Sequence, residues 1–363
     1  QCGPRGPRAR QGRAMRLTRF EIANHSVLDD MTVEVRDHLC IVGANDVGKS
    51  SLLRLLHLLL GATVQQLYSA LSPSELRDIE APLRVTVDLG ELSLEEAGAF
   101  PHEVHFEDDE PTRLTIELEV RVSDEDDKEV VIDRFFPDAG TRRAPSRDQL
   151  DVIAWRYLPA NRSTAVDFMD GKNSPLRAML NAVDLGDGST SLAKLMDSFH
   201  ADLEVNPALT QLREEIAQHL SRSLPRKLAK DSLALRTAID TAEDPLQQVT
   251  LFLREQEALK SLDEQSDGLR QLMALTFFDL AQQNANVVAV DEPEMHLHAS
   301  SQRTVAGLLA DSAQQRLVVT HSPYVIQKFE PKHVLVVDHE RRAKQVAAHN
   351  FSAEAASVGA FSI

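Results

Sequence analysis

Leu39-Cys40-Ile41-Val42-Gly43-Ala44-Asn45-Asp46-Val47-Gly48-Lys49-Ser50 points to the architecture of the whole chain. An apolar run enters a G-x-x-x-x-G-K-[ST] loop, and Ser51-Leu52-Leu53-Arg54-Leu55-Leu56 leaves it as an apolar helix. Strand, glycine loop and helix in that order make a cradle for a polyphosphate. Gly43 and Gly48 let backbone N–H groups curl around phosphate oxygens, with Asn45 and Ser51 in the same cradle. The helix N-terminus adds its positive dipole end. Lys49 is placed to reach β- and γ-phosphates, and the Ser50 hydroxyl suits Mg²⁺. The expected ligand is a nucleoside triphosphate, with ATP and Mg²⁺ as the pair.

The chain has 363 residues, a net charge of −17 and 42% hydrophobic residues, the composition of a globular protein. No apolar run approaches the roughly 20 residues that span a bilayer, so no membrane partner is expected. Its two cysteines, Cys2 and Cys40, do not make a disulfide framework, since Cys40 lies in the strand before the glycine loop. A reduced, cytoplasmic protein is the expectation. Arg5, Arg8, Arg10, Arg13 and Arg16 stand against the acidic trend without a nearby acid. Residues 1–14, interrupted by Gly3, Pro4, Gly6 and Pro7, read as a disordered basic tail, and a nucleic-acid arm is the sharper alternative. An acidic body does not favour broad contact with a phosphate backbone, so any DNA contact must be local or made through a partner.

Leu17–Ile22, Met31–Val35, Leu83–Leu89, Leu114–Val122 and Val130–Phe135 alternate apolar and polar residues and predict strands. Acidic turns separate the later ones, at 107–110 and 124–127; they lack the spaced pattern of a Ca²⁺ loop. Gly61 is expected to cap the helix that follows the glycine loop. Val152–Leu158 reads as a further strand. Residues 171–230 read as a helical insert, punctuated by Asn206-Pro207 and Leu224-Pro225. Leu233–Ile239 and Val249–Leu253 are strand-like, and Leu269–Gln283 is a strong helix. The predicted organisation is a P-loop and antiparallel β part at 15–170, the insert, a second nucleotide-site part at 231–345, and a tail or further-domain start at 346–363.

Val287-Val288-Ala289-Val290-Asp291-Glu292-Pro293-Glu294 is a buried strand ending in carboxylates. Opposite a P-loop, Asp291 would hold the Mg²⁺ shell and Glu292 would polarise the attacking water. Leu317-Val318-Val319-Thr320-His321-Ser322-Pro323 delivers a histidine to the C-terminal end of another short strand, where ligands of open α/β sheets bind. His321 could contact the γ-phosphate there. Gln265-Ser266-Asp267-Gly268-Leu269 opens the later helix, either as a second phosphate cradle or as an ordinary N-cap.

In this order, P-loop, S-x-G-x-[RQ], D-E-P-E and T-H-S-P resemble the ATP-binding-cassette ATPases. Within that superfamily the segments Asp291–His298 and Thr320–Pro323, with Tyr157-Leu158-Pro159-Ala160-Asn161-Arg162, are most similar to the OLD (overcoming lysogenization defect) family and its RecF/SMC-like relatives. The resemblance covers most of residues 15–340. It implies an α/β P-loop fold of ABC-ATPase type, with a mixed sheet core, an antiparallel β subdomain and a helical insert. It further implies a homodimer that sandwiches two ATP molecules, with Ser266 and Gly268 acting in trans and His298 in the loop that crosses the interface. Metal ligation by His296, His298 and Glu294 is the alternative for those residues.

There are departures from the pattern. No glutamine-loop residue can be placed, since Gln65 and Gln66 fall too soon, and no long heptads form a coiled-coil arm. Relatives of the OLD class carry a nuclease domain with a D-x-D metal pair, and none follows His321. The expected function is an ATP-hydrolysing head that controls a nuclease or other effector acting on DNA, in phage defence or DNA repair. The rivals are a slow nucleotide switch or scaffold, which has no need of Glu292, a transporter ATPase subunit, and a small-molecule kinase.

Overall fold

The computed structural model describes residues 15–108, 110–123, 129–140, 142–160, 252–255, 258–261, 264–282, 284–310 and 312–345, with isolated positions between 194 and 214. The chain divides into two compact units, residues 1–163 with 266–363, and residues 164–265. The nucleotide-site motifs all belong to the first.

Among the described residues that unit holds two sheets. In the antiparallel one, β1 (Arg16–Ala23), β2 (Met31–Glu34), β4 (Leu83–Gly90), β5 (Val104–Glu107) and β6 (Glu110–Val122) run in the order β2-β1-β4-β6-β5, and β7 (Val130–Phe135) pairs with β6. In the other, β14 (Ala343–Gln345), β13 (Val334–Val337), β3 (Leu39–Gly43), β12 (Gln315–Val319), β11 (Val287–Asp291) and β8 (Trp155–Leu158) lie side by side in that order. All pairings in the second sheet are parallel except β13 with β14. The sequence accounts for the difference: β4 alternates inward and outward residues at its start, whereas β3, β11 and β12 are buried throughout, as a parallel sheet covered on both faces requires.

Helix α1 (Lys49–Leu60) packs against β3, β8, β11 and β12 and against β4 and β6, so it fills the space between the sheets. Leu52, Leu53, Leu55, Leu56, Leu58, Leu59 and Leu60 are all buried there. At its C-terminal end the Gly61 N–H reaches His57 O at 2.8 Å, the expected cap. Arg134 of β7 also donates to Leu59 O at 3.3 Å and Ala62 O at 2.8 Å, setting a cation on the negative end of the helix dipole. Gln315 joins the sheets: its Oε1 accepts from Leu17 N–H, and its Nε2 donates to Leu17 O and Arg36 O, each at 2.8 Å.

Short helices α2 (Val64–Ala70), α3 (Leu94–Ala97) and α4 (Arg147–Ile153) each begin with a reciprocal capping box, Thr63 with Gln66, Ser93 with Glu96, and Ser146 with Gln149. The last of these corrects the reading of Val152–Leu158 as one strand. The capped helix runs to Ile153, Ala154 turns the chain at φ 52°, and β8 starts at Trp155. Helix α5 (Asp267–Ala281) starts two residues before the predicted bound, because Ser266 is its N-cap. Helices α6 (Ala299–Ala310) and α7 (Pro323–Ile326) follow β11 and β12.

In the second unit the described residues include the hairpin β9 (Phe252–Glu255) and β10 (Ala258–Ser261), so the strand read at 249–253 lies later than expected. Of the described positions in the expected helical insert, 194–195, 198, 205, 207, 209–211 and 214 are helical and Asn206 is not. The rest of that insert, the basic tail at 1–14, Leu233–Ile239 and the stretch 346–363 lie outside the described residues. Among the described residues no helix is long and apolar enough to cross a membrane.

Candidate functional site

Parallel register brings the chemistry to one edge. Asp291 pairs with Val319, Val319 with Ile41, and Gly43 with Val337, so the strands carrying the P-loop, the carboxylates and the histidine end level with one another. The edge opens into a cavity of about 790 Å³ lined by Asn45, Gly48, Lys49, Ser50, Ser51, Glu292 and His321, and also by Val27, Asp46 and Arg341.

Two glycines shape the loop by necessity. A Cβ on Gly43 would stand 2.4 Å from Val337 O, a backbone atom that cannot swing aside. Gly48 has φ 96°, which an L side chain rarely adopts, and its Cβ would sit 2.6 Å from Leu28 Cδ2. Leu28 and Val27 are held against the loop by buried His25, whose Nδ1 accepts from both of their N–H groups at 3.1 Å. That fixes the neutral tautomer, with Nε2 donating to Glu75 Oε2 at 3.2 Å. Burial pushes the His25 pKa down, with Glu75 opposing. Gly48 caps α1 without a side-chain acceptor, which leaves the first N–H groups of the helix open toward the cavity.

Lys49 is buried, and its Nζ donates to Ala44 O at 2.6 Å. Burial lowers its pKa, against the pull of Glu292, Asp291 and Asp46. Ser50 and the Ala160 N–H lie near enough to the Asp291 carboxylate to favour its charged form. Asp291 is 2% exposed, yet its Oδ1 has no hydrogen-bond partner. Burial raises the Asp291 pKa, the nearby Ser50 hydroxyl lowers it, and neighbouring Glu292 raises it again. An orphaned, buried carboxylate oxygen beside a serine hydroxyl is a hard-oxygen pair of the kind that suits Mg²⁺.

Glu292 adopts φ 44°. Its Oε1 stands 3.7 Å from His321 Nε2. Burial and then Lys49 lower the His321 pKa, and Glu292 raises it, so the ring is neutral near pH 7. The sequence offers Glu294 only as an alternative metal ligand with His296 and His298, whereas its Oε1 accepts from Thr320 Oγ1 at 2.7 Å, His321 N at 2.6 Å and Ser322 N at 3.0 Å. Val27 and Arg341 were missed as lining residues, since both reach the P-loop from segments with no motif of their own.

Ser266 and Gly268 are not among the residues that line the cavity. They open α5, where Ser266 Oγ accepts from Leu269 N–H at 3.4 Å and a Cβ on Gly268 would meet His296 O at 3.3 Å. His296 and His298 are exposed, and among the described residues no group of three or more His, Cys, Asp or Glu side chains gathers around a metal position. In the Y-x-P-A-x-R segment, Asn161 and Arg162 lie outside the described residues.

The family model described as "AAA domain, putative AbiEii toxin, Type IV TA system" matches residues 39–327, well over half of the chain. The chain belongs to this family. It is also 23% identical over 352 residues to the OLD nuclease of Thermus scotoductus (strain ATCC 700910 / SA-01), a match covering 90% of this chain and 63% of that protein. The chain therefore spans less than two thirds of that relative's length. Among solved structures it is similar to the SmcHead bound to the C-winged helix domain of ScpA, at TM-score 0.53 and 17% identity over 91% of this chain and 97% of that one. A second is the Smc head domain with an extended coiled coil bound to the C-terminal domain of ScpA derived from Pyrococcus furiosus, at TM-score 0.52 and 16% identity over 91% and 95%. At such identities the likeness is one of fold: a mixed α/β head of the SMC and ABC-ATPase kind, with its antiparallel subdomain.

Proposed function

We propose that the chain is a Mg²⁺-dependent ATP-hydrolysing head that closes as a homodimer around ATP and thereby regulates an effector acting on DNA. One observation carries the reading. Ser50, Lys49, Glu292 and His321 line a single cavity, and Asp291, with its orphaned Oδ1, sits beside Ser50 at its edge.

On this reading the open N–H groups of α1 and the Gly48 turn hold the phosphates. Lys49 leaves Ala44 O and turns its ammonium to the β- and γ-phosphates. Ser50 and Asp291 hold Mg²⁺, which neutralises charge on the β- and γ-phosphate oxygens when bound. Glu292 takes the proton of the attacking water as its oxygen bonds to the γ-phosphorus and the bond to ADP breaks. Neutral His321 donates through Nε2 to a γ-phosphate oxygen. Ser266 and Gly268, away from the cavity of their own chain, serve the ATP of a second copy. The relative with which the chain shares 23% identity is named a nuclease, and this supports a nuclease, in the same polypeptide or a separate protein, as the effector.

The test is the solution mass and turnover of Glu292→Gln with and without Mg·ATP. The expected result is retained ATP binding, turnover reduced about 10²- to 10⁴-fold, and an ATP-dependent shift from monomer to dimer. Normal hydrolysis by the variant would remove Glu292 from its role. A monomer under both conditions would remove the sandwich and favour a nucleotide switch.

A further inference from the structure

The loop that presents His321 is built as a three-residue clamp. Thr320 is 0% exposed and Ser322 4% exposed, while His321 between them faces the cavity. Glu294 Oε1 takes the Thr320 hydroxyl and the two successive N–H groups of His321 and Ser322. Consecutive backbone N–H groups aimed at one oxygen form an anion nest. On the far side, Ser322 Oγ donates to Gln302 Oε1 at 2.7 Å, and Gln302 Nε2 donates to Leu297 O at 3.0 Å. The loop is thus gripped from the turn after β11 and from α6.

That turn has little freedom. Glu292 sits at φ 44°, Pro293 fixes its own φ, and Met295 N–H returns to Glu292 O at 3.2 Å. Glu294 therefore extends from the same short turn that aims Glu292. Its other oxygen, Oε2, is buried with no hydrogen-bond partner. Leaving a carboxylate oxygen buried and unpaired is costly, and the three bonds gathered at Oε1 offset that cost.

We propose that Glu294 is the positioning residue of the His321 loop, tying the histidine that faces the γ-phosphate position to the turn that carries the general base. The pairing of His321 Nε2 with Glu292 Oε1 is then set by one carboxylate. Movement at either partner passes to the other through a single rigid turn. The inference rests on the hydrolysis reading above, and it adds a residue to which that reading assigns nothing.

The experiment compares wild type, Glu294→Ala and Glu294→Gln by two readouts. The first is backbone amide hydrogen exchange at 320–322 in the nucleotide-free protein. The second is kcat, KM and Kd for Mg·ATP. For Glu294→Ala we expect exchange faster by about 10-fold or more, kcat lower by about 10- to 100-fold, and Kd for ATP within about 3-fold of wild type. Glu294→Gln keeps an oxygen acceptor at the nest and should recover most of both losses. Faster exchange with unchanged kcat would overturn the positioning role. Loss of ATP binding and kcat together in both variants would make Glu294 merely structural and overturn it equally. If wild type binds ATP and never turns it over, the hydrolysis reading fails by itself. The exchange arm still decides whether Glu294 holds the loop, and unchanged exchange in Glu294→Ala would sink that.

Discussion

Replacing Lys49 by methionine separates the two settings of one side chain. Without nucleotide, the ammonium is buried and donates to Ala44 O at 2.6 Å. A charged hydrogen bond of this kind contributes roughly 1.5–3 kcal/mol, but burial works against the charge, as the lowered pKa records. Methionine has nearly the same length and pays no such desolvation, so the nucleotide-free protein should change by no more than about 1 kcal/mol. With ATP the ammonium would make two charge-assisted bonds to phosphate. Their loss is worth about 3–6 kcal/mol, or roughly 10²- to 10⁴-fold in affinity. Thermal unfolding with and without Mg·ATP reads both numbers. At 100 times the wild-type Kd, ligand linkage stabilises wild type by about 2.7 kcal/mol, whereas a variant weakened 100-fold gains only about 0.4 kcal/mol. An ATP-dependent shift as large as that of wild type would refute the phosphate clamp. A collapse of stability before ATP is added would refute the claim that the resting Ala44 bond is nearly balanced.

Two further outcomes are expected. His38 accepts the Arg316 N–H on Nδ1 at 3.2 Å, and burial, followed by His333, pulls its pKa from 6.5 to about 4. Between those values the unfolded chain binds the proton and the folded one does not, so stability rises with pH across that window and levels off above it. The contribution is at most about 3 kcal/mol, and less because part of the ring meets water. His38→Gln should flatten the urea-unfolding profile between pH 4 and 6.5, and an unchanged slope counts against the buried neutral ring. Ser266→Arg should leave ATP binding by the monomer intact and abolish turnover, at a cost near the low end of the ~0.5–2 kcal/mol of an N-cap, because its bond to Leu269 N–H is long. Equal loss of binding, measured by titration calorimetry, argues against action in trans.

The P-loop strand, the carboxylate strand and the histidine strand were legible because each is a run of apolar residues, buried throughout, that leads into a polar loop. Their convergence was legible as well, since parallel strands deliver their C-terminal ends to one edge. The helix Arg147–Ile153 was not, because Val152–Leu158 is a short apolar run that serves a helix end or a strand equally. Ser146-x-x-Gln149 carried the missing signal, as did Thr63-x-x-Gln66 and Ser93-x-x-Glu96 for their helices. The grip of Glu294 on the 320–322 loop was hidden for a different reason. Its partners lie a helix and a strand further along the chain, and no local pattern marks a carboxylate that will accept two distant N–H groups. Val27 reaches the cavity through the posture of His25, again a contact that spacing does not encode.

The strand order β14-β13-β3-β12-β11-β8 sets a timetable for synthesis. Among the described residues the P-loop strand, Leu39–Gly43, pairs with Gln315–Val319 and Val334–Val337. While the first half of the chain is emerging from the ribosome, β1, β2 and β4 can pair among themselves, but β3 stands as an apolar ribbon with two open edges. The cradle for the nucleotide is therefore among the first segments made and among the last assembled. Such long-range closure is slow and exposes a sticky edge in the meantime. A fragment cut after α1 and before Gln315 keeps the whole glycine loop but lacks both strands that flank Leu39–Gly43, so the loop is not expected to hold its shape as an N-terminal piece.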